Sequence, residues 1–181
     1  MKIKSIILFL MVTGISLQAQ DFRTGAVSVG LYAGFGLPKV SYSVYRPPIS
    51  VTAGMALQSR VRGRIALRLT GNGLYTFGLG TITDDNYKIR FNTAWADAGL
   101  LYRLTGRIFT ENYLTFAMGR YTLDQRLEGE TNKVTTLGIN LGILQLRHHG
   151  KWRSTLDVRW HLLFRPSPNP QMLTITFGWI I

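Results

Sequence analysis

Polarity alternates residue by residue along most of this chain. In Trp152–Phe164 one parity holds Trp152, Ser154, Leu156, Val158, Trp160, Leu162 and Phe164; the other holds Arg153, Thr155, Asp157, Arg159, His161 and Leu163. Successive side chains of a strand point to opposite faces, so the segment predicts a strand with one aliphatic-aromatic face and one charged face. After Pro166-Ser167-Pro168-Asn169-Pro170 the pattern resumes. Leu173, Ile175, Phe177, Trp179 and Ile181 then stand against Met172, Thr174, Thr176, Gly178 and Ile180. The same period runs through Gly25–Gly36, Ile49–Gln58, Ile65–Gly80, Lys88–Leu104, Ile108–Thr122 and Val134–Leu146. Eight strands are expected. If Gly71-Asn72-Gly73 were a hairpin turn instead, the third segment would divide and ten shorter strands would result.

The segments between them carry turn chemistry. Leu37–Pro48 contains Pro38, Pro47 and Pro48 and reads as a loop; Ser59–Arg64, Thr83–Tyr87, Thr105-Gly106-Arg107 and Arg147–Lys151 read as turns. Leu123–Lys133 is the most polar stretch and is expected to be a solvated loop. The orientation of the strands follows from volume. The polar parity is rich in small residues, among them Gly30, Gly34, Gly54, Gly99, Gly119, Gly138 and Gly142. An eight-stranded barrel has an interior just wide enough for side chains to fill. Trp152, Trp160, Phe164 and their counterparts on seven other strands do not fit there. A soluble barrel with its apolar face inward is therefore disfavoured, and the apolar face is turned towards lipid. No segment after residue 20 is a long apolar run, and only helices and closed barrels satisfy every backbone group in a bilayer. The expected fold is all-β: an eight-stranded antiparallel transmembrane β-barrel in an up-and-down meander. In Lys88–Leu104 the apolar parity reverses between Ile89-Phe91 and Ala94-Ala96, which calls for a bulge near Asn92 or a rise above the bilayer.

Met1–Gln20 has the layout of a secretory signal, with Lys2 and Lys4, an apolar Ile6–Val12 and small residues before Gln20. The barrel domain is then 21–181. Without Lys2 and Lys4 the formal charge falls from +12 to +10, and there is no cysteine. An exported chain with a lipid-facing belt has anionic lipids as nearer partners than nucleic acid. Arg60, Arg62, Arg64, Arg107, Arg147 and Lys151 all fall in turns assigned to the periplasmic side, where inner-leaflet headgroups or an acidic partner would meet them.

The inner parity gathers Arg68, Asp97, Arg103, Arg153, Asp157, Arg159 and His161. Charges in a filled lumen must be paired and hydrogen-bonded, so an interior ion-pair network is expected; the functional alternative is a polar path or an anion site. Asp157 and His161 share a face but lie roughly 13 Å apart along one strand, and Ser154 is on the opposite parity, so no Ser-His-Asp constellation forms in this strand. His148-His149 sit in a turn without further metal ligands, and no glycine spacing matches a phosphate loop. No catalytic residue, metal or cofactor is expected.

Taken together, the chain resembles the small eight-stranded outer-membrane barrels of the OmpX/OmpA type. The resemblance covers the mature chain and is architectural. It departs at the last residues, where such barrels typically end on an aromatic residue read by the insertion machinery and here Trp179 is followed by Ile180-Ile181. It implies a Gram-negative cell-envelope protein with a structural or binding role through the outer loops Leu37–Pro48 and Leu123–Lys133. Its implied partners are outer-membrane lipids, lipopolysaccharide, the barrel-assembly machinery during insertion and an envelope protein. Two alternatives stay open: a narrow, porin-like channel, and a lipid A-modifying enzyme with His161 and Ser167 as loose candidates.

Overall fold

In the computed structural model, which describes residues 27–39, 50–62, 64–76, 80–81, 88–107, 110–127, 130–149, 152–164 and 170–181, the alternating segments are antiparallel strands. They are β1 (Val27–Lys39), β2 (Ser50–Arg62), β3 (Ile65–Thr76), the two-residue β4 (Gly80–Thr81), β5 (Lys88–Arg107), β6 (Thr110–Leu127), β7 (Glu130–His149), β8 (Trp152–Leu163) and β9 (Gln171–Ile180). The expected signal segment Met1–Gln20, the turn Thr83–Tyr87 and Ser167 lie outside the described residues. Each long strand pairs with its sequence neighbour, β3 pairs with β5, and β9 pairs with β1, which closes the sheet into an eight-stranded barrel. Closure leaves no edge in the wall, the condition for strands to cross a bilayer.

The register fixes the barrel's geometry. From Gly34 the cross-strand partners run through Thr52, Leu74, Thr93 and Leu123 to Val134 on β7. In the other direction they run through Thr176 and Asp157 to Leu144 on the same strand. The two walks meet β7 ten residues apart. A stagger of ten over eight strands, with a rise of about 3.3 Å per residue and about 4.8 Å between strands, tilts the strands by about 41°.

The outward face is apolar. Phe35, Leu69, Ile143, Trp160 and Phe177 each leave about half of their surface uncovered. Trp152 and Phe164 mark the two ends of this band on β8. Twelve residues of rise at about 3.3 Å, tilted by about 41°, make the band about 30 Å tall, close to a bilayer's hydrocarbon core. Soluble proteins rarely show a continuous apolar belt of this extent.

Several boundaries differ from those expected. β3 runs unbroken through Gly71-Asn72-Gly73, paired on both sides, so the ten-strand reading does not hold. The β5–β6 register is continuous past Asn92, and its one shift lies between Arg103 and Thr105. There is no bulge at Asn92: β5 simply rises beyond the end of β3, whose last partner pair is Leu74 with Thr93. Leu123–Lys133 is not a loop. β6 continues to Leu127, β7 begins at Glu130, and Leu123 is fully buried. The first residues of the expected loop Leu37–Pro48 also belong to β1, where Leu37 partners Leu173. β7 first meets β8 at Gly138 with Leu163, so residues 130–137 stand above β8. Together with the start of β5 and the end of β6 they form a raised ribbon at the end of the barrel opposite the short turns.

Candidate functional site

The lumen is stacked in three layers. Nearest the ribbon, Leu74, Trp95, Tyr121, Leu123, Leu163 and Met172 form one apolar cluster. Towards the short turns, Ala66, Leu101, Tyr113, Leu144, Leu146 and Ile180 form another. The ionic layer lies between them. On β3, Arg68 stands between Leu74 and Ala66; on β5, Asp97 stands between Trp95 and Leu101.

Asp157 is the hub of that layer. Its Oδ2 accepts a hydrogen bond from Arg68 at 2.7 Å, and Arg159 donates to it through Nε at 3.0 Å and lies 2.9 Å away through its terminal nitrogen. Arg159 also faces Asp97, at 3.6 Å. Asp97 accepts a hydrogen bond from Asn140 at 3.2 Å, and Asn140 also donates to the Tyr121 hydroxyl at 3.3 Å. That hydroxyl lies 3.0 Å from His161 Nδ1, and His161 Nε2 lies 3.0 Å from Thr174 Oγ1. Two guanidiniums and two carboxylates therefore balance, all nearly inaccessible to solvent. Only such mutual pairing makes burial of four charges tolerable. Tyr32 covers Arg68, its ring centroid 5.7 Å from the guanidinium carbon, and hydrogen-bonds Asn72. Glycines make the space: a Cβ on Gly119 would meet Asp97 at 2.7 Å, and one on Gly142 would meet Arg159 Cγ at 2.8 Å.

Of the seven charged lumen residues expected from parity, the structure brings Arg68, Asp97, Asp157 and Arg159 into direct contact, with His161 joined through Tyr121 and Asn140. Arg103 and Arg153 stand apart, lower on the wall. Arg103 pairs with Glu111 at 3.2 Å, next to the bulge in β5, and Arg153 lies opposite Ile180 near the start of β8. Glu111 also accepts a hydrogen bond from Tyr113 at 2.7 Å and has His148 at 3.7 Å. His149 turns away to Ser154, 3.0 Å distant, so the adjacent histidines share no ligand site. Tyr121, Asn140 and Thr174 were not singled out in the sequence, though all three lie on the inner parity.

At the opposite end the outer wall is hollowed beneath the ribbon. A groove of about 580 Å³ is lined by Val51, Ala53, Gly73, Tyr75, Asp124 and Lys133, among others. A Cβ on Gly71 or Gly73 would meet nothing within 4 Å. These two glycines leave open space on the outer wall, whereas Gly119 and Gly142 relieve crowding within the lumen.

No family model matches the chain, and no curated protein matches it in sequence. Its fold is that of solved outer-membrane barrels. Neisserial surface protein A superposes with a TM-score of 0.69 at 10% identity, covering 86% of this chain and 96% of that one. A major outer membrane protein of Thermus thermophilus gives 0.59 at 11% identity, covering 86% and 98%. Ail, the attachment invasion locus protein of Yersinia pestis, gives 0.58 at 8% identity, covering 88% and 100%. The likeness spans nearly the whole of each partner and extends to the architecture alone.

Proposed function

We propose that this protein is an integral outer-membrane barrel with a sealed lumen, acting as a structural element and binding platform rather than as a conduit or an enzyme. The observation that supports this reading is the stacking of side chains in the lumen. An ionic layer whose charges neutralise one another is capped by an apolar cluster on either side. A channel needs a polar lining along its whole length to replace an ion's hydration, and the large apolar side chains of both clusters interrupt it. The same packing argues against catalysis at His161, whose ring is packed against Trp95 at 5.2 Å and hydrogen-bonded at both nitrogens inside the wall.

Short turns face the periplasm in barrels of this kind, which puts the raised β5–β6–β7 ribbon outside the cell. The ribbon and the hollow at its foot are the contact surface in this reading, with Asp124 and Lys133 at the rim of an apolar floor. The outer-membrane lipids, lipopolysaccharide included, surround the apolar band, and the barrel-assembly machinery inserts it. In planar bilayers the purified protein is expected to give no steady conductance. A stable, reproducible open level would overturn the sealed-lumen reading.

A further inference from the structure

The charge of this chain is concentrated at one end of the barrel. Segments 59–64, 103–111 and 147–153 hold Arg60, Arg62, Arg64, Arg103, Arg107, Arg147, Lys151 and Arg153 against a single acid, Glu111. That carboxylate is already engaged by Arg103, Tyr113 and His148. The other end is closer to balance: segments 37–48, 82–90, 120–133 and 164–170 hold Lys39, Arg46, Lys88, Arg90, Arg120, Arg126, Lys133 and Arg165 against five acids, Asp84, Asp85, Asp124, Glu128 and Glu130. An excess this much larger at one rim is not explained by solubility, which either rim would serve.

The topology spreads these cations around the rim. β2 ends in Arg60 and Arg62 and the turn to β3 carries Arg64; β5 ends in Arg107; β7 ends just after Arg147, before Lys151. Those turns occupy three quarters of the circumference in strand order, and the fourth is the seam of β9 with β1. Arg64 and Arg147 are exposed. Beside them on the outward face stand Trp152, Trp179 and Tyr102, each about half exposed or more. Tyr102 partners Ile65, next to Arg64, and Trp152 partners His149. Tyrosine and tryptophan settle where hydrocarbon gives way to headgroups, so they mark the level of the leaflet surface. Arg64 directly precedes Ile65, the partner of Tyr102, and Arg147 lies opposite Ser154, which also partners Trp179, so these two exposed cations stand at the level of the girdle, where headgroups begin. A single macromolecule would dock on one side of a rim; a ring of cations beside an aromatic girdle matches a leaflet that surrounds the barrel.

We infer that this rim is a docking surface for anionic phospholipid headgroups of the inner leaflet, so that the protein gathers an annulus of negatively charged lipid at its turn end. The inference rests on the membrane-spanning orientation proposed above. Arginine suits the role, because its planar fork can donate two hydrogen bonds to one phosphate and it stays charged at any physiological pH.

The test uses the full mature chain folded into vesicles, with its own tryptophans as reporters. Brominated acyl chains quench them, and competition between brominated phosphatidylglycerol and brominated phosphatidylcholine gives the relative affinity of the annulus. A several-fold preference for phosphatidylglycerol is expected at low salt. It should shrink towards unity at high salt and in a variant carrying Arg60→Gln, Arg62→Gln, Arg64→Gln, Arg147→Gln and Lys151→Gln. The pair Arg147→Gln with Lys151→Gln, and the salt series on the unaltered protein, serve if the larger variant does not fold. Equal quenching by both lipids would overturn the inference, as would a preference that survives the turn substitutions but disappears with Lys88→Gln, Arg120→Gln and Lys133→Gln. Failure of either lipid to quench would instead refute the membrane-spanning reading itself.

Discussion

Asp157 illustrates what a single side chain does in a lumen too narrow for bulk water. It neutralises two arginines at once, one from β3 and one two residues along its own strand. Asp157→Asn would leave Arg68 without its carboxylate and Arg159 dependent on Asp97 alone. Breaking a buried pair costs about 3–5 kcal/mol, because the remaining charge is stranded. Arg68→Met also leaves one charge uncompensated, with Arg159 alone facing Asp97 and Asp157. It removes a single contact of Asp157, whose hydrogen bonds from Arg159 remain, whereas Asp157→Asn weakens the contacts of both arginines at once. Urea titrations of vesicle-folded protein should therefore show Asp157→Asn as the more damaging change, losing about 3–5 kcal/mol, with Arg68→Met costing less because only one contact of the hub is lost. Equal losses would show that Asp157 is not the hub. Parity placed the charged residues on one face of the wall, which is why they could be named from the sequence. It did not align one strand with the next. Arg103 and Arg153 share the parity of Asp97 and Asp157, and their offset along each strand was legible. Only the register shows which charges of different strands meet at one level. The glycines opposite the charges were equally hidden: Gly119 faces Asp97 and Gly142 faces Arg159 only once neighbouring strands are aligned.

Strands were legible wherever lipid lay on one side and the lumen on the other, because that contrast imposes a strict period of two. They became illegible where the contrast ended. Above the bilayer the outward face of a strand meets water, so the outward parity turns polar. Arg120, Thr122 and Asp124 continue the outward row of Leu114, Phe116 and Met118 on β6. Read by composition that stretch is a loop, yet Leu123 stays buried beneath it and the pairing persists to Leu127. The reversal between Ile89-Phe91 and Ala94-Ala96 has the same origin, and the unbroken register removes the need for a bulge. Apolar residues on the lumen parity, such as Leu74, Leu101 and Leu144, carry no mark in the alternation, because the caps they build are a tertiary device. The ribbon should be separable from the barrel. Leu123 and Val134 are direct partners, so replacing residues 124–133 with an Asn-Gly turn shortens the hairpin without disturbing the pairs below it. The shortened protein is expected to keep the heat-dependent gel mobility of a folded barrel and to change stability by less than about 1 kcal/mol, as surface changes usually do. Loss of folding would mean that the ribbon supports the cap beneath it.

For the molecule as a whole, strand number and stagger are coupled, and together they set how far the strands lean and how much room the lumen has. A stagger of eight would tilt the strands by about 35°, against about 41° for the stagger of ten found here. The larger stagger widens the barrel slightly. That helps to explain how two arginines, two aspartates and the rings of Trp95, Tyr121 and His161 fit inside, with glycine opposite two of the charges. Widening is not opening, however, because the added room is filled by the caps and the paired charges. The tilt can be measured without a crystal. Polarised infrared spectra of the protein in oriented bilayers report the mean angle of the amide dipoles to the membrane normal. An angle near 41° is expected, and it should not change in the shortened-ribbon variant, since the residues that define the stagger, from Gly34 round to Val134 and Leu144, are retained. An angle near 35° would mean that the closing pairs between β1 and β9 are slipped by two residues. Because an even slip preserves which side chains face inward, the lipid-facing band would survive it. The contacts of Arg68 with Asp157 would not, because they join strands on opposite sides of that seam.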